Sequence, residues 1–163
     1  MTNREFCIAR RKAEYPLFVK VLKAMPQDRL DYRPEPRSRT AAELAWVLAA
    51  EEMALLSLVE TGSVVWKEVP PPATAAEIVA AYEKNAQAVT DAIERMDDAA
   101  WEKKGSFYMA PDAPPWEAPI YESLWGFLFD AIHHRGQLST YLRPMGGKVP
   151  SIYGPSADDP GGG

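Results

Sequence analysis

Hydrophobic positions recur at helical spacing in four blocks of the chain, and proline and glycine separate the blocks. In the first, from about Arg4 to Met25, Phe18, Val21, Leu22 and Met25 share a face with Lys20 and Lys23 between them. Pro16 interrupts this block. It either kinks the helix or marks its first turn, where a missing N–H costs little. Pro26 to Arg39 reads as a connector, because Pro34 and Pro36 forbid a helix and favour an extended Asp31-Tyr32-Arg33. Thr40-Ala-Ala-Glu43 then has the form of a capping box, and the second helix should run to about Glu60, with Thr61-Gly62 as its stop. Val69-Pro70-Pro71-Pro72 is a stiff linker. The start signal recurs as Thr74-Ala-Ala-Glu77, and Ile78, Tyr82, Asn85, Val89, Ile93 and Met96 follow on one helical face.

Asp97 to Pro119 is less regular. Asp97 to Trp101 suits one short helical turn, and Pro111, Pro114, Pro115 and Pro119 exclude a long helix beyond it. The last helix should span about Ile120 to Leu142, ended by Pro144 and Gly146-Gly147. No run of alternating residues argues for strands. The expectation is an all-α four-helix bundle with long proline-rich connections, one domain over residues 1–156. Val149 to Ser156 is too apolar and stiff for a free tail and should fold back over the bundle, whereas residues 157–163 read as a flexible tail.

Bulk properties narrow the function classes. The 163 residues suit one domain, and 47% hydrophobic residues suffice for a core. A net charge of -5 argues against nucleic acid and anionic membrane surfaces, which attract basic chains. No apolar run approaches the ~20 residues that span a bilayer. The N-terminus lacks an apolar signal core, and Cys7 is the only cysteine, so a cytoplasmic location is expected. Cys7 reads as a small buried hydrophobe.

The candidate chemistry lies on the last helix. Threes and fours counted from His134 reach Phe127, Ala131, Leu138 and Tyr141, which points His134 at the core. Asp130 lies one turn before His134, so the two side chains can converge. They either chelate a divalent metal or form a buried Asp–His hydrogen bond. His133 and Gln137 sit together on the flank as substrate-binding candidates, and Tyr153 is a candidate for the pocket mouth. Arg135 and Arg143 steer an anion, or more simply cover apolar surface and make salt bridges. Gly136 inside the helix suggests close approach of another element, with Gln137 as its anchor. Trp46, Trp66, Trp101, Trp116 and Trp125 fall mostly near helix ends or loops, where some can serve an interface between copies.

Asp130-Ala-Ile-His-His-Arg-Gly-Gln-Leu-Ser-Thr-Tyr-Leu-Arg143 with Gly146-Gly-Lys-Val-Pro150 resembles the last-helix signature of the DinB/YfiT-like family. Leu30 to Pro34 and Glu43 to Trp46 resemble that family's approach to its second helix. The resemblance implies a four-helix bundle, often a homodimer, with a metal held by one histidine from the second helix and two from the last. Members include bacillithiol and mycothiol S-transferases and a thiol-dependent maleylpyruvate isomerase. This chain departs from the pattern at two positions, with Val47 and Asp130 where histidines are expected. Glu51 lies one turn beyond Val47 among Leu44, Leu48 and Leu55, and a carboxylate there needs a partner. Three outcomes follow. Glu51, Asp130 and His134 form a displaced site for one divalent metal (Zn, Ni, Mn or Fe). Alternatively, Glu51 and His134 pair without metal beside a binding pocket, or the cluster is a vestigial polar core. The expected activity is metal-dependent hydrolysis or thiol transfer on a small molecule, with Glu51 and His134 catalytic. The alternative is a metal-free, non-enzymatic dimeric binding or stress-response protein.

Overall fold

Three of the four long helices begin on the same local device. Thr2, Thr40 and Thr74 each accept a hydrogen bond from the backbone N–H three residues on, and Glu5, Glu43 and Glu77 reach back to the cap amide. Each box satisfies donors that a helix start leaves orphaned, an effect of about 1 kcal/mol. The computed structural model describes residues 1–161 of the chain. Its long helices are α1 (Asn3–Lys23), α2 (Ala41–Thr61) and α3 (Ala75–Arg95), with a fourth, α5 (Ile120–Leu142), after the short α4 (Asp98–Glu102). Pro16 lies inside α1, so it interrupts the hydrogen-bond ladder rather than opening the helix. Gly62 closes α2 at φ +77°, a conformation that side chains rarely tolerate.

The helices pack in a closed arrangement, α2 against α3 and α5, and α1 against the same two. The expectation of a purely helical bundle is corrected by a three-stranded sheet of β1 (Ser63–Val65), β2 (Lys104–Tyr108) and β3 (Trp116–Pro119). Strand β1 pairs parallel to β2, with Val64 opposite Phe107, and β2 pairs antiparallel to β3, with Gly105 opposite Ala118. Strands of three to five residues are too short for alternation to register in the sequence. The sheet lies close on the bundle: a Cβ at Gly105 would meet Leu58 of α2 and Ile120 of α5 at 2.8 Å. The connections thus carry structure of their own, and they place Trp66, Phe107 and Met109 beside α2 and α5.

The apolar core has two parts. One joins Phe18, Leu22, Leu44, Leu48, Ile78 and Leu138; the other joins Cys7, Leu55, Leu58, Ile93, Trp101 and Leu124. On α1 and α2 the buried charges Arg11, Glu14, Glu51 and Glu52 fall between them. Arg11 pairs with Glu52, and both are buried. Arg135 donates to Glu14 Oε2 at 2.7 Å and lies 4.5 Å from the Phe18 ring centre. Burial pushes the Cys7 thiol up to about 11, which makes it a poor nucleophile.

The segment after α5 folds back through Tyr153, whose hydroxyl donates to Glu14 Oε2 at 2.9 Å. Within the stretch read as a tail, Asp158 accepts from the Arg143 side chain and the Val149 amide, and Asp159 accepts from the Ser151 amide. Residues 162–163 lie outside the described residues. No helix among the described residues is long and apolar enough to cross a membrane.

Candidate metal centre

Residues one turn apart on α5 and one residue on α2 build the site. Asp130 and His134 are i, i+4 neighbours on α5, and Glu51 reaches them from α2. His134 Nε2 lies 3.4 Å from Asp130 Oδ2 and 3.8 Å from Glu51 Oε1. One ligand atom of each residue lies within 4.8 Å of the others. Donors held ~2.1 Å from one ion in tetrahedral geometry stand ~3.4 Å apart, so the spacing suits a single cation.

His134 Nδ1 lies 2.9 Å from Gln137 Oε1, a contact that holds the ring with Nε2 toward the two carboxylates. Carboxylates gathered this closely call for a shared proton or a positive charge between them. Glu51 shows this most directly. Its side chain is 5% exposed, and Oε2 is buried with no hydrogen-bond partner among the described residues. Burial, then the neighbouring Asp130 and Glu52, push its carboxyl up to about 9, partly offset by Arg39. One imidazole and two carboxylates fit a divalent ion.

A cavity of about 640 Å³ opens over this cluster. Phe127 of α5, Trp66 after β1, Phe107 of β2 and Met109 just beyond it form apolar walls, and Arg39 is the cation in its lining. Val47 lines the same cavity, at the position where the resemblance expects a histidine. Glu51, one turn along α2, lines the cavity with it.

The other residues anticipated for the site lie elsewhere. His133 is exposed, on a separate shallow groove with Gly136 and Thr140. Gln137 borders that groove but turns its amide oxygen to His134, which makes it a positioning residue. Tyr153 sits on Glu14 and Arg135, outside the cavity over His134. The position that α5 buries most deeply here is Arg135, at 1% exposure, with His134 half-turned toward the cavity. The i, i+3, i+4 count was therefore centred one residue too early. Among the described residues, no heavy atom beyond the helix's own backbone lies within 4 Å of a Cβ built at Gly136, so no other described element approaches there. Arg39, Phe107 and Met109 carry no signal in the sequence, and Trp66, anticipated for an interface between copies, lines the cavity instead; all four reach the site through the sheet and the α1–α2 connector. Sequence reasoning passed over the Arg11–Glu52 pair, although a second acid inside the Leu48–Leu55 run was a visible signal.

Four long helices around a polar layer, with an acid–histidine cluster facing a cavity, define a helical-bundle protein with a candidate metal centre. The model of the DinB family matches residues 11–161, and the chain belongs to that family. A DinB-like protein from Bacillus cereus ATCC 10987 has a similar structure, with a TM-score of 0.77 at 22% identity, over 91% of this chain and 97% of that one. A DinB-like protein from Bacillus subtilis gives 0.66 at 15% identity, over 86% and 91% of the two chains. A mycothiol-dependent maleylpyruvate isomerase gives 0.54 at 14% identity, over 90% of this chain but 62% of that one. At these identities the likeness concerns the fold alone. No curated protein matches the sequence significantly.

Proposed function

We propose that the chain is a divalent-metal-dependent enzyme acting on a small organic molecule in the cavity, by hydrolysis or thiol transfer. The observation that carries this reading is the buried, unpartnered Glu51 Oε2 beside Asp130 and His134. Glu51, Asp130 and His134 would hold the ion, with Zn, Mn, Fe or Ni as the candidates that suit imidazole and carboxylate together. A bound divalent ion supplies a water or thiol with a lowered pKa, and hence a nucleophile at neutral pH. Gln137 holds the His134 ring so that Nε2 faces the cluster. Asp130 is the more exposed carboxylate and orients the incoming group. Glu51 Oε2, free of other bonds, is the acceptor for a proton released by the nucleophile. Thiol transfer draws support from the shared fold of the mycothiol-dependent isomerase.

A second reading rests on the raised Glu51 carboxyl. Without a cation, Glu51 stays protonated at neutral pH and shares its proton with Asp130, which leaves a metal-free binding pocket. Elemental analysis of protein purified without an affinity tag separates the two. Near-stoichiometric Zn, Mn, Fe or Ni that disappears in His134→Ala supports the enzyme. Metal-free protein whose stability ignores both chelator and His134→Ala leaves the pocket. A homodimer is the proposed assembly, and light scattering of the purified chain tests it.

A further inference from the structure

The cavity over the cluster continues into a second groove of about 480 Å³, and the two share Arg39, Val47, Trp66 and Glu68. The groove gathers Arg33, Arg37, Arg39 and Lys67 against only Glu43 and Glu68, in a chain whose net charge is -5. Its cations differ in their commitments. Arg33 leans on Glu43 at 3.8 Å and on the Pro36 carbonyl, and Arg37 pairs with Glu35 at 3.2 Å. Arg39 and Lys67 make no ion pair or side-chain hydrogen bond among the described residues, although Arg39 stands where the groove meets the cavity. The backbone beside Arg39 is held: its carbonyl accepts from Tyr141 at 3.3 Å, and Thr40 next to it caps α2. A guanidinium on a fixed backbone, uncommitted and next to apolar walls, is suited to bidentate recognition of an anionic group.

We infer that Arg39, assisted by Lys67, is an anion subsite, and that the ligand is an elongated molecule with an apolar middle and one anionic end, carboxylate or phosphate. The reactive end lies at Glu51, Asp130 and His134, the middle against Trp66 and Val47, and the anion at Arg39. The inference rests on the proposed metal site only for which end reacts. Glu68, on the same rim, opposes a second anionic group and favours a single one.

The probes are hexanoate, hexyl phosphate and the neutral hexan-1-ol, titrated calorimetrically into the full chain with and without added Mn(II). Arg39 is exposed, so Arg39→Met should leave the melting temperature unchanged. The inference expects an anionic probe to bind about tenfold or more tightly than hexan-1-ol. Arg39→Met should remove that preference while leaving hexan-1-ol binding as it was. Hexanoate against hexyl phosphate then decides which anion the groove prefers. Anion binding that needs Mn(II) and survives Arg39→Met overturns the subsite but leaves the metal reading standing. Arg39-dependent binding in protein that takes up no Mn(II) does the reverse. Equal affinity for all three probes also overturns it.

Discussion

Glu14 and Glu51 are both buried carboxylates facing α5, and they have opposite fates. Glu14 Oε1 accepts from Arg10 at 2.6 Å, and Oε2 accepts from Arg135 and Tyr153. Burial alone would push its carboxyl up, but these donors outweigh that and hold it below the ordinary value. Glu51 has no donor at Oε2 among the described residues, faces the Asp130 carboxylate and the His134 ring, and is pushed up to about 9. One acid has all the positive charge it needs from the protein. The other lacks it and is set at the foot of a cavity. The contrast separates a buried acid whose charge is matched by donors from one whose charge is not, and burial alone would not have told them apart.

The largest effect is expected where the contrast is broken on the paired side. Arg135→Met leaves Glu14 buried without its principal partner, and urea unfolding should show a loss of about 3–5 kcal/mol. A loss below about 1 kcal/mol would mean that the pair is not the anchor its geometry suggests.

On the unpaired side the effect depends on pH. The folded-state value of Glu51 is raised, so metal-free protein keeps its full stability below the ordinary carboxylate value. It loses stability as pH rises toward about 9, because the unfolded chain ionises first. Glu51→Gln does not titrate, so its stability relative to wild type should rise by about 4 kcal/mol between pH 5 and pH 8. Parallel pH profiles for the two proteins would show that Glu51 is already satisfied.

A smaller change sharpens the same side. Val47→His adds an imidazole to the cavity lining, and metal affinity should increase about tenfold, or ~1.4 kcal/mol. Calorimetry reads the shift, and unchanged affinity would place Val47 out of reach of the ion.

The helices were legible because their signals are local. Thr40-Ala-Ala-Glu43, Thr74-Ala-Ala-Glu77, Gly62 and the prolines each act within a few residues. Thr2-Asn-Arg-Glu5 carries the same box and was equally readable. The sheet was hidden because β1 pairs with β2 across intervening residues 66–103, through contacts that short strands do not announce. The convergence of Glu51, Asp130 and His134 was visible from helical spacing plus the chemical oddity of an acid among leucines. The cavity walls were not, because Trp66, Phe107 and Met109 arrive with the sheet. Arg135 makes the salt bridge and apolar cover that its residue type suggested, and only its depth was hidden. Its depth depends on Glu14 and Tyr153, at opposite ends of the chain.

The most direct test is calorimetric titration of Zn(II) into untagged, chelator-treated protein near pH 7.5, in two buffers of different ionisation heat. The account predicts about one ion per chain and a buffer-dependent heat from the proton that Glu51 gives up. Binding should be lost in His134→Ala, and the proton release should be lost in Glu51→Gln. Absence of binding, or binding that ignores both substitutions, would contradict a metal centre at Glu51, Asp130 and His134.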